Sequence, residues 1–114
     1  MNILSNIKIN QTDLKIIQKF KKNVLTEFPD AEFVLYGSKV KGTDEKFSDI
    51  DILIFLDRNI TTKIEERIFE IGYEIELEYD VVLSIVIESK QFRSSPIAKA
   101  MPFYRNVNKE GVTI

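Results

Sequence analysis

The chain has 114 residues, 44% hydrophobic and 30% charged, with a formal net charge of −2 and neither cysteine nor histidine. These proportions suit one compact core, exclude a disordered polypeptide, and give no broad electrostatic grip on nucleic acid. Disulfides, thiolate or histidine catalysis and His-liganded zinc are excluded too, leaving carboxylates, Lys, Tyr, Ser, backbone amides or a metal on hard oxygen ligands, which selects magnesium or manganese. No run of about 18 apolar residues offers a membrane span. The opening residues lack the plan of a signal peptide, so a reducing cytoplasm is the expected setting.

In chain order, residues 11–28 predict a helix, because Leu14, Ile17, Phe20, Val24 and Phe28 recur at helical steps between lysines. Thr12 or Asp13 is the expected N-cap, and Pro29 the stop. Glu32 to Tyr36 reads as a short strand ended by Gly37-Ser38. Asp49 to Leu56 reads as a central strand, apolar on both faces after its first residues. Thr61 to about Glu78 predicts a second long helix with Ile64, Ile68, Ile71 and Ile75 on one face. Tyr79 to Ile87 then predicts a third strand, rich in β-branched residues. Beyond Ser89 the pattern weakens, although Pro102 suits the opening of a last helical turn and Gly111 its close. No repeat or linker divides the chain, so residues 1–114 read as a single domain. The expected class is α/β (α+β), a small mixed sheet of about three to four strands flanked by helices. Acids crowd Thr61 to Asp80 and bases crowd Glu88 to Glu110, both read first as solvated faces.

The chemistry concentrates between Gly37 and Asp51. Gly37 ends a strand and permits a sharp turn. Ser38 begins a short helix whose free N–H groups, with its own hydroxyl, suit a phosphate. Lys41 stands one turn along as a point charge, and Gly42 leaves the turn without a side chain. Asp49 and Asp51, two apart on a strand, share a face while Ile50 and Ile52 point to the core. Two bare carboxylates about 4 Å apart repel by roughly 1 kcal/mol in water and about 4 at an effective dielectric of 20, so a divalent cation is their natural counter-charge. Asp80, read as opening the third strand, is the third candidate ligand. Three carboxylates facing a phosphate-binding turn describe a two-metal phosphoryl-transfer site, with Asp80 placed to take the acceptor's proton.

Gly-Ser, ten residues, then Asp-x-Asp resembles the polymerase-beta-type nucleotidyltransferase superfamily, and within it the minimal (MNT) branch. That branch's pattern is Gly-Ser-x-Ala-Arg-Gly followed by Ser-Asp-Ile-Asp. Gly37, Ser38, Gly42, Ser48, Asp49, Ile50 and Asp51 match it; Val40 and Lys41 depart from it. Lys41 replaces a bidentate fork with a point charge. The resemblance implies a nucleotidyltransferase fold and transfer of AMP from ATP with two Mg2+ (or Mn2+) ions. Asp49, Asp51 and Asp80 would be metal-binding and catalytic, with Gly37, Ser38, Lys41 and Ser48 at the nucleotide. It also implies a partner, a small helical HEPN toxin whose tyrosine is adenylated, with this chain as antitoxin. The rival expectations are an antitoxin that acts by contact alone and transfer to a small molecule.

Overall fold

The computed structural model describes residues 2–3, 9–41 and 49–114. In order they form β1 (Asn2–Ile3), α1 (Gln11–Glu27), β2 (Glu32–Tyr36), α2 (Ser38–Lys41), β3 (Ile50–Leu56) and α3 (Thr62–Tyr79). After them come β4 (Leu83–Ser89), α4 (Lys90–Arg93), α5 (Pro96–Ala100), α6 (Pro102–Glu110) and β5 (Val112–Thr113). The strands make one mixed five-stranded sheet in the order β1-β5-β2-β3-β4. β3 runs parallel to β4 and antiparallel to β2, so the class is the expected one. Sequence reading finds three of these strands; the other two are two-residue pairings at the chain ends, too short to carry a period.

The long helices follow their apolar faces. α1 buries Ile16, Ile17, Phe20 and Val24, and α3 buries Ile68, Ile71 and Ile75. Asn10, not Thr12 or Asp13, is the N-cap of α1. Its side-chain oxygen accepts from the Asp13 N–H at 2.7 Å, and Asn is as good a cap as Asp. α1 and α3 cover one face of the sheet, where Phe33, Leu35, Ile50, Ile52, Ile54 and Leu56 join them in the larger core. The other face carries a smaller cluster, Val34, Leu53 and Phe55 under Ala98, Tyr104 and Val107 of α5 and α6. The expected last helix from Pro102 is α6, closed at Gly111, whose N–H donates to the Val107 carbonyl.

The third strand starts later than its composition predicts. α3 continues to Tyr79, and Asp80 is its left-handed C-cap, with φ 53° and ψ 52°. Val82, Leu83 and the residues after them pair with β3: the Ile50 N–H donates to the Val82 carbonyl, and Ile50 registers against Leu83. Asp80 therefore turns the chain between helix and strand and does not open β4. An aspartate tolerates the left-handed region better than most side chains, which is why a β-branched run can begin behind it. No helix among the described residues is long and apolar enough to cross a membrane.

Candidate active site

β2 ends at Tyr36, and Gly37 follows with φ 80°, a conformation that favours glycine. A Cβ on Gly37 would overlap Oδ2 of Asp51, so the turn after β2 and the carboxylate of β3 stand directly against one another. α2 begins at the next residue. Only the backbones of Ser38 and Lys41 are described, and they open and close α2; Gly42 and Ser48 lie outside the described residues. Between them, Lys39 is almost completely buried and holds Asp13 of α1 in an ion pair at 2.9 Å. That pair pins the turn to the scaffold helix, a role that sequence reading, drawn to Lys41, does not find.

The register places the neighbours of Asp51. Tyr36 is opposite it on β2 and Ser84 is opposite it on β4. In a sheet, residues in one row share a face, so Tyr36, Asp51 and Ser84 line the face that also carries α5 and α6. Asp49 is exposed just ahead of β3 and Asp51 is half-buried. Burial first, then the charge of Asp49, raises the carboxyl of Asp51 above its ordinary pKa, while a hydrogen bond from the Ser84 hydroxyl lowers it. The Tyr36 phenol is pushed up to about 12, first by burial and then by Asp51 and Tyr104, so it is a neutral hydrogen-bond donor at physiological pH. Ser84 is missed from sequence because only the parallel β3–β4 register brings it to the site.

Asp49 and Asp51 act on one another electrostatically, but no three carboxylates among the described residues stand together as a metal-holding group. Asp80 is the C-cap of α3, and the position beside Asp51 on β4 is held by Ser84. The donor set that remains still suits magnesium, which is commonly held by one or two carboxylates together with substrate phosphates and water.

Next to Gly37 lies a cavity of about 200 Å3. Tyr36, Gly37 and Val40 form one wall, and Phe103, Asn106 and Val107 of α6 form the other, with Glu110 at the far end of the helix face. The Tyr36 and Phe103 rings meet edge to face, centroids 5.4 Å apart and 87° between planes. Phe103 in turn meets Tyr104 at 5.0 Å. Apart from Gly37, sequence reading assigns none of these residues; the end of β2 and α6, distant in sequence, must fold together before they share a wall.

Comparison with known proteins agrees with this architecture. The nucleotidyltransferase domain family matches residues 17–106. Two proteins of Methanocaldococcus jannaschii, both described as candidate protein adenylyltransferases, are similar over most of the chain. One is 32% identical over 72% of this chain and 85% of its own length; the other is 31% identical over 70% and 73%. Among solved structures, a toxin–antitoxin complex with AMP-PNP has a chain that superposes with a TM-score of 0.54 at 19% identity, covering 82% of this chain and 68% of that one. A mutant MntA–HpeT toxin–antitoxin complex gives 0.54 at 20% identity over 94% and 72%. At such identities these two likenesses concern the fold.

Proposed function

The chain belongs to the nucleotidyltransferase domain family and is a nucleotidyltransferase, and from that premise we propose that it transfers AMP from ATP to a hydroxyl of a partner protein, a tyrosine of a small helical HEPN-type toxin, and so acts as an antitoxin. The observation that carries the reading is the Gly37 turn set against Asp51, with Asp49 beside it. Asp49 and Asp51 would hold magnesium or manganese, which when bound neutralises phosphate charge and stabilises the departing pyrophosphate. Gly37 and the backbone of α2 approach the triphosphate without a side chain in the way, and Ser38, Lys41 and Ser48 complete the nucleotide's surroundings. The acceptor oxygen forms its bond to the α-phosphorus as the bond to pyrophosphate breaks, and its proton passes to the carboxylate pair or to solvent. A docked partner supplies the in-line orientation of the attacking oxygen. The curated relatives' description as candidate adenylyltransferases and the toxin–antitoxin complexes among the fold neighbours support the acceptor class.

A second reading has an observation of its own. Ser84 occupies the position beside Asp51, and Asp80 serves as the C-cap of α3. That favours an antitoxin which neutralises its partner by contact. Incubation with ATP, magnesium and the candidate partner, followed by intact-mass measurement, separates the two. AMP additions that vanish with Asp49→Asn support transfer; a tight neutralising complex without mass change, equally good with Asp49→Asn, overturns it.

A further inference from the structure

We infer that the cavity between the Gly37 turn and α6 is the seat of the nucleotide's adenine base, with Tyr36 and Phe103 as its aromatic walls and the Asn106 amide as the group that reads it. This rests on the proposed placement of the phosphates at Asp49 and Asp51 and adds to it the residues that choose the base.

Position is the first argument. Gly37 belongs to both places: it lines the cavity, and its Cα faces the Asp51 carboxylate. A nucleotide with its phosphates against Gly37 and Asp51 has its base within one sugar's reach of the cavity. Size is the second. About 200 Å3 is below the roughly 300 Å3 at which drug-sized pockets begin, and suits one flat ring system while sugar and phosphates lie outside.

Chemistry is the third. Phe103, Asn106, Val107 and Glu110 fall at i, i+3, i+4 and i+7, so one stripe of α6 faces the hollow. Phe103 remains 37% exposed although it is large and apolar, which leaves ring surface available to a partner. The two rings stand at 87° to one another, so any base stacks on one and meets the other edge to face; the Asn106 amide distinguishes among bases. It offers one donor and one acceptor side by side, the complement of adenine's N6 amino group and N7. Guanine presents two acceptors, O6 and N7, on the same edge, so one amide atom would face a like partner.

The test measures binding of ATP, GTP and inorganic tripolyphosphate, each with magnesium, by calorimetry on the full chain. The native protein should prefer ATP to GTP. Phe103→Ala should weaken ATP about tenfold, the effect of losing one base–aromatic stack, and leave tripolyphosphate unchanged. Asn106→Leu, an exposed site where folding is not at risk, should bring the ATP and GTP affinities together. Preference of the native protein for GTP, or unchanged ATP affinity in both variants, overturns the inference. If Phe103→Ala weakens only the acceptor protein's binding, the cavity holds the acceptor's ring and the inference is again overturned. Asp51→Asn separates the underlying reading: it should weaken tripolyphosphate as well as ATP, and if it weakens neither, the phosphate placement fails while the two cavity variants still decide where the base lies.

Discussion

On one face of β3, Ile50, Ile52, Ile54 and Leu56 are sealed under α1 and α3; on the other, the strand presents Asp51 before it reaches Leu53 and Phe55. The first face follows the rule of burial without interruption. Each fully buried isoleucine is worth about 1.5–3 kcal/mol, and the row extends sideways through Leu35 on β2 and Ile85 and Ile87 on β4. The second face breaks that rule at one end only. Its first row is Tyr36, Asp51 and Ser84, and α5 and α6 cover the rows beyond it. The difference teaches how so short a chain carries a site: one face supplies stability, and the other keeps a polar row that the scaffold could have filled with apolar side chains.

The comparison breaks if the two sides are not mechanically joined, and the joint is the ion pair between Lys39 and Asp13. Lys39→Ala leaves a buried carboxylate without its cation, which costs about 3–5 kcal/mol. Folded domains are stable by only about 5–15 kcal/mol, so this should be the largest single effect among these variants. Lys39→Met combined with Asp13→Asn removes both charges and should recover much of the loss. Urea unfolding of the single and double variants measures it; a single variant as stable as the native protein would mean that the site turn is not anchored to α1.

A smaller stability effect with a larger functional one is expected at Gly37. A valine there must adopt φ 80°, at a cost of about 1–3 kcal/mol, and its Cβ also overlaps the Asp51 carboxylate. The variant should remain folded by circular dichroism yet lose nucleotide binding. If ATP bound it as it binds the native protein, the polar row would not be the nucleotide site.

Sequence alone reaches the first face well. The isoleucine and phenylalanine steps of α1 and α3 and the apolar run of β3 are local periodicities, and local periods survive folding. Gly37, Asp49 and Asp51 are likewise legible, because a glycine turn and a paired aspartate on a strand are short-range patterns. Asp80 is where that logic fails. Tyr79 to Val82 has strand-like composition, but the helix keeps Tyr79 and bends at Asp80, and a cap conformation leaves no period to read. Ser84, Phe103 and Asn106 are illegible for another reason. Their part in the site depends on the β3–β4 register and on α6 lying beside the Gly37 turn, and neither contact is encoded in a window of neighbours.

The smallest predicted effect compares the two ends of β3, each with a partly buried carboxylate of opposite behaviour. Beyond the C-terminal end, Asp30 accepts from Arg58 Nε at 3.0 Å and from the Asp57 N–H at 2.9 Å. The Arg58 hydrogen bond, ahead of the opposing effect of burial, holds its carboxyl below the ordinary aspartate value. At the other end, burial and then Asp49 raise the carboxyl of Asp51. A carboxyl lowered on folding binds its proton less tightly in the native state than in the unfolded chain. Its stabilisation is therefore present above the ordinary aspartate range and lost as pH falls through the native value. A raised one has the opposite sign: the native state holds the extra proton, and stability drains away as pH rises through that range. In metal-free protein at neutral pH, Asp30→Asn should lower stability by up to about 1 kcal/mol, as expected for an exposed pair, and should flatten the acid limb of the stability curve. Asp51→Asn should instead stabilise slightly, because it removes a carboxylate whose charged form burial and Asp49 disfavour. Chemical denaturation in the presence of a chelator, followed from neutral pH into the acid range, reads both signs. Loss of stability with Asp51→Asn would show that this carboxylate already has its counter-charge within the fold, and that the two ends of β3 do not differ as described.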